Sequence, residues 1–178
     1  MLFDSDSQLA NLLVEKITPF QLDAAAHEHE HGIEVQLPIL ERLAPKAKIV
    51  GAVLNGGSWG DIQAAAQEMA DLLRTFDDLP LLVISSDMNH YAPDAENRRR
   101  DRLALDAMTT GDPKHLIDVC SEHEISMCGL VPAAFVMETL HRLGLEFDVR
   151  ELGYATSAEV NSDKSQVVGY AGVAMIAR

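Results

Sequence analysis

The run LPLLVISSDMNHYAP, Leu79 to Pro93, decides how this chain is read. Its first half is a continuous apolar stretch of strand length, the kind buried on both faces of a parallel sheet. It turns polar at Ser85-Ser86-Asp87, where the strand should end. In open α/β sheets the carboxyl ends of the strands form the ligand crevice. Asp87 and His90 follow directly. A carboxylate three residues before an imidazole can orient the ring or raise its basicity. The competing reading is an Asp turn beside a surface histidine. The abrupt change from buried to polar residues favours function.

Outward from this run, the pattern alternates between strand and helix. AKIVGAVLN, residues 47–55, has the small and β-branched residues of a buried strand, and GGSWG is a turn. DIQAAAQEMADLLRTF is an amphipathic helix with Asp61 near its N-cap. SQLANLLVEKI forms a short helix capped by Asp6 or Ser7. IEVQLPILERL has apolar residues at helical spacing, with Pro38 kinking it or tightening its first turn. Helices are expected from about Asp94 to Met108, from Pro113 to Ser121, and over VPAAFVMETLHRLG, which opens near Pro132 and stops at Gly144. EFDVRELGYA and VVGYAGVAMIAR are strands joined by the loop TSAEVNSDKSQ. The expected fold is a single α/β domain over residues 1–178. It is a three-layer sandwich with a mainly parallel central sheet and helices on both faces.

Composition narrows the class. The 178 residues are 47% apolar and 24% charged with mean hydropathy near zero, as in an ordinary globular protein. No apolar run is long enough to span a bilayer. The opening MLFDSDSQLANLL carries acids where a secretory signal needs Lys or Arg, so a cytoplasmic protein is expected. Cys120 and Cys128 should then both be thiols. The formal charge is −14, from 28 acids and 14 bases. That disfavours nucleic acid and anionic membranes, both of which need phosphate neutralised. The basic cluster Arg98-Arg99-Arg100 sits among Asp94, Glu96 and Asp101 and reads as a solvated helix face.

Two further segments could carry chemistry. HEHEH, His27 to His31, satisfies the zinc-protease pattern H-E-x-x-H. Gly32 and Pro38 interrupt the helix that pattern requires, and the alternation of His and Glu leaves nothing to bury it. His27 and His29 fit a polar loop. His31 stands at the loop-to-helix junction, where a side chain can be aimed into a cleft. In ISMCGLVPAAF, Cys128 lies just before a helix N-terminus, which favours a thiolate able to bind metal or attack carbon. A small buried hydrophobe is the equal alternative there. Cys120 reads as core. His115, His123 and His141 lack partner spacing and suit surface or capping roles, and Trp59 lines a pocket or covers the core.

EHGIEVQLPIL, ISSDMNHYA and CGLVPA, in that order, with YATSAEVNSDKSQVVGYAGVAM at the C-terminal end, resemble the Memo family. Members of that family often belong to the AmmeMemoRadiSam gene set, and their fold is similar to class III extradiol dioxygenases, which use non-haem Fe(II). The resemblance covers the chain from about Asp4 to its end. It implies that His31 and Cys128 are metal ligands, and that Asp87 and His90 line the same cleft. His90 is expected to serve as ligand or, polarised by Asp87, as acid or base. Fe(II) is the implied metal, with Cu or Zn as alternatives, since imidazole and thiolate suit these over Mg or Ca. The family normally carries an N-terminal H-x-G-Y-like motif that supplies another ligand and a strand. No such motif occurs here. The chain is therefore expected to be N-terminally short, with the missing part absent or supplied by a second chain. His27 or His29 is a candidate replacement ligand.

The leading expectation is a Memo-like metal-binding protein with oxygen-dependent, dioxygenase-like redox chemistry, taking a small molecule or peptide in its cleft. Two rivals stand beside it: a non-catalytic metal- or peptide-binding interaction module, and a hydrolase with Cys128 as nucleophile and His90 as base.

Overall fold

The computed structural model describes residues 4–178, and every statement of absence below concerns those residues. The helices fall where capping and periodicity put them. Helix α1 spans Ser7–Lys16, with Asp6 accepting from the Leu9 N–H. A 3₁₀ turn, Glu34–Gln36, runs into α2, Leu37–Leu43, with Pro38 in its first turn. Helix α3, Trp59–Leu73, opens on a capping box in which the Ser58 hydroxyl accepts from the Asp61 N–H and the Asp61 carboxylate accepts from the Ser58 N–H. Strand β1 is short, His90–Ala92, and leads into α4, Asp94–Thr109. Helix α5, Pro113–Glu122, has Asp112 as N-cap and proline at its first position. Helix α6, Leu130–Arg142, ends where Gly144 takes φ +77°. A long hairpin completes the chain: β2, Phe147–Thr156, the single turn α7, Ala158–Asn161, and β3, Val167–Ala177.

The sheet corrects one expectation. It has three strands in the order β1-β3-β2, and both pairings are antiparallel. Residues 47–55 and 79–86 form no strand ladder; a single parallel bridge joins Ser5 to Ile49. What stands is an α/β fold with a small antiparallel sheet. The physical reason lies in the side chains of the 79–86 run. Leu79, Leu81 and Val83 are 51%, 83% and 52% exposed, whereas Leu82 and Ile84 pack against the core. The period of two is that of a strand. One of its faces is bare, however, and its backbone finds no neighbour.

Two cores hold the helices in place. In one, α4 and α5 pack Leu105, Met108, Leu116 and Cys120 with Met137 of α6 beneath the sheet residues Val149, Ala171 and Val173. In the other, Leu13 and Ile17, at and just beyond the end of α1, meet Ile62, Ala66 and Met69 of α3 and Phe135 of α6. Helix α6 therefore belongs to both, and the turn at its N-terminus is fixed from two sides. Arg98, Arg99 and Arg100 lie on α4 in ion pairs with Asp94, Glu159 and Glu96, as a solvated helix face requires. No helix is long and apolar enough to cross a membrane.

Candidate metal centre

Asp87 ends the extended run, His90 opens β1, and Cys128 sits in the turn ahead of α6. The fold brings these three together: a carboxylate oxygen, an imidazole nitrogen and the sulfur all lie within 4.8 Å of one another. Asp87 Oδ2 is 3.5 Å from His90 Nε2. The Asp87 N–H donates to Cys128 Sγ at 3.0 Å. Two further bonds brace the turn. The Gly129 N–H donates to Ser86 Oγ at 2.8 Å, and Ser86 Oγ donates to the Asp87 carbonyl at 2.6 Å. A Cβ at Gly129 would fall 2.4 Å from Ser86 Cβ, so only glycine lets the two loops approach this closely. Asp87 and His90 are half-buried and Cys128 is exposed, so the donors are open to solvent.

Behind the loops lies a buried polar cluster. Asp101 Oδ1 accepts from the Asn89 N–H at 2.7 Å, and its Oδ2 accepts from Tyr154 Oη at 2.6 Å and Asn97 Nδ2 at 3.0 Å. Burial raises the Asp101 carboxyl above the usual aspartate range, against the opposing pull of these bonds. Two tyrosines stand near the donors. Tyr91 holds φ +58° and is largely exposed, its ring 5.8 Å from that of His90. Burial, with the charges of Asp87 and Tyr91 adding to it, raises the phenol of Tyr170 on β3.

The cluster omits His31. Its turn does reach the site: Gln36 Nε2 donates to Ser85 Oγ at 3.0 Å, and a Cβ on Gly32 would meet the same hydroxyl at 3.5 Å. The imidazole, however, is 80% exposed and faces Glu34, 3.8 Å away. The cause is local. Glu30 turns back to accept from the N–H groups of Gly32 and Ile33, closing a turn that points the His31 side chain outward. His27 ends a 3₁₀ turn, Ala25–His27, and His29 is exposed, so the histidines share no helix and the zinc-protease geometry does not form. Cys120 is buried, with its thiol pushed up to about 11 by burial, as a core residue should be.

Sequence reasoning gave Ser86 no part beyond the polar strand end, passed over Ser126 and Asn97, and set Asp101 on a solvated helix face, whereas Asp101 is fully buried. The last two had a legible signal. Positions 97, 101, 104, 105 and 108 make one helical stripe, and all five residues are buried. Polar residues at core positions of a stripe must have buried partners.

A triad of one carboxylate, one imidazole and one thiol differs from the two-histidine, one-carboxylate iron set. It fits a transition ion held by three protein donors with a position left open. It does not fit magnesium or calcium, which take oxygen ligands.

The family model for Memo, described as a Memo-like protein, matches residues 3–174. Among curated relatives, a MEMO1 family protein of Methanopyrus kandleri is 32% identical over 169 residues, covering 94% of this chain and 59% of its own length. One of Aeropyrum pernix is 36% identical over 170 residues, with the same coverage of 94% and 59%. One of Aquifex aeolicus is 35% identical over 152 residues, covering 85% and 56%. The chain thus spans less than two thirds of the length of the relatives it matches. With a match running across nearly all of its residues, this chain belongs to the Memo family.

Proposed function

We propose that this protein binds a transition metal through Asp87, His90 and Cys128, with Fe(II) the expected ion and Cu or Zn the alternatives. The observation that carries the reading is the convergence of three donors from two loops distant in sequence to within 4.8 Å. A bound ion would supply Lewis acidity or redox chemistry at the cleft. The chain's own residues do the rest. Cys128 offers the softest donor and selects for such an ion. Asp87, 3.5 Å from His90 Nε2, helps orient the ring, and the pair stands where it can pass a proton to or from a substrate. The open face suits a small molecule or peptide, and oxygen-dependent, dioxygenase-like chemistry is the proposed activity. We place the protein in the cytoplasm, where Cys128 stays reduced.

A second reading is favoured by the bare ridge of Leu79, Leu81 and Val83. It lies on the same face of the sequence that should have continued a parallel sheet. In this reading a further polypeptide segment pairs with residues 79–84 and 47–55, completes a mainly parallel three-layer sandwich, and brings another metal donor. His31 then turns inward from its weak contact with Glu34, and the protein serves as an interaction module as much as a catalyst.

The test is metal content after purification and after reconstitution with Fe(II), Cu(II) or Zn(II). Wild type is expected to hold one ion per chain, and Cys128→Ala and His90→Ala to lose it. His31→Ala should lose metal only where the further segment is present. Equal metal in all variants would remove the proposed site. An activity blocked by thiol alkylation yet indifferent to chelators would point instead to a Cys128–His90 hydrolase.

A further inference from the structure

The donors sit on two loops that share no regular secondary structure, so something must hold the loops at a fixed separation. Beside the Ser86–Gly129 and Asp87–Cys128 contacts, the buried cluster makes a second connection. Asn89 is at its centre, 1% exposed. Its backbone N–H donates to Asp101, its carbonyl accepts from Asn97 Nδ2 at 3.1 Å, and its Nδ2 donates to Asn97 Oδ1 at 2.7 Å. Its Oδ1 reaches the other loop, accepting from the Ser126 N–H at 3.1 Å and from Ser126 Oγ at 3.3 Å. Ser126 Oγ in turn accepts from the His90 N–H at 2.9 Å. The chain of contacts runs from α4 through Asn89 to both the His90 loop and the Cys128 turn. Asn97 and Asp101 are fully buried, and no buried side-chain nitrogen or oxygen lacks a partner among the described residues.

We propose that Asn89, Asn97 and Asp101, with Ser126 as the link, are positioning residues that set the distance between His90 and Cys128 and so determine metal affinity. The inference rests on the metal reading above and deepens it. None of the four is among the three donors; they act by fixing backbone that would otherwise let the donors drift apart. A fully satisfied polar network is stiff, and a mismatch at one member spreads to the others. Asp101→Asn presents an NH₂ group either to the Asn89 N–H or to the two donors Asn97 Nδ2 and Tyr154 Oη, so in either orientation a donor faces a donor and the clamp loses a bond.

The experiment is Co(II) titration of wild type, Asp101→Asn and Ser126→Ala, read by affinity and by the thiolate-to-cobalt absorption band that reports Cys128 as a ligand. Asp101→Asn should bind about 10–100-fold more weakly with a diminished band, as loss of outer-shell support does elsewhere, and Ser126→Ala should fall at the lower end of that range. Ser126 is exposed, so its variant should fold. If Asp101→Asn does not fold, Ser126→Ala decides alone. A lowered unfolding midpoint with wild-type affinity and an unchanged band would reduce the cluster to a structural role and overturn the proposal. Absence of any thiolate band in wild type would instead overturn the metal reading.

Discussion

Replacing Gly169 with alanine should come close to unfolding the protein. Gly169 lies on β3 against the buried carboxylate. A Cβ there would stand 1.8 Å from Asp101 Oδ2 and 3.1 Å from Asn97 Nδ2. Reaching an ordinary contact of 3.4 Å requires a separation greater by 3.4 − 1.8 = 1.6 Å. Asp101 cannot swing aside without loss, because three donors hold it at 2.6–3.0 Å. Moving it that far breaks bonds to the Asn89 N–H and the Tyr154 hydroxyl. Each buried donor left unpaired costs about 1–3 kcal/mol. Overpacking adds about 1–3 kcal/mol. With two donors unpaired, these reach about 3–9 kcal/mol, a large share of the roughly 5–15 kcal/mol that stabilises a domain. The assay is urea unfolding followed by circular dichroism, with Gly153→Ala as the control. Gly153, on β2, has no heavy atom within 4 Å of its missing Cβ, so alanine there should be neutral or slightly stabilising. If Gly169→Ala unfolds within about 1 kcal/mol of wild type, the close approach of β3 to Asp101 is wrong, and the clamp loses its wall.

Iodoacetamide under native conditions should modify one thiol per chain, at Cys128, because Cys120 is buried and its thiol is pushed up to about 11. Bound metal should slow that reaction; rapid labelling of both cysteines in folded protein would contradict the core assignment of Cys120. The bonds from Arg99 and then Arg100 lower the Glu96 carboxyl from 4.5 to about 2. A depressed folded-state value means that its stabilisation is present above pH 4.5 and is lost as pH falls towards 2. Thermal melts of Glu96→Gln across that window should show a shallower acid slope than wild type, and identical slopes would refute the assignment.

The helices were legible because their determinants are local. Asp6, Ser58 with Asp61, and Asp112 with Pro113 mark the starts, and the apolar stripes fix the lengths. The extended character of residues 79–84 was legible for the same reason. Its pairing was not, because a strand's neighbours are set by distant chain; the sequence pattern of a doubly buried strand persists here without the partners that would bury it. At the site, Asp87 and His90 were legible as a short-range motif at the end of an apolar run, and Cys128 as a thiol ahead of a helix. His31 depended on the shape of its turn, which the Glu30 side chain reverses. Asn97 was overlooked, and Asp101 was set on the solvated face when it is buried, because three arginines drew attention to the opposite face of the same helix.

The ridge of Leu79, Leu81 and Val83 has a consequence for the protein as a colloid. Two tendencies oppose each other: a bare, pleated hydrocarbon strip invites chains to stack edge to edge, and a formal charge of −14 drives them apart. Repulsion reaches only about 10 Å at 0.1 M salt and shrinks as salt is added. The strip's attraction does not weaken in this way. Dilute buffer should therefore keep the molecules separate, and concentrated salt should gather them into clusters.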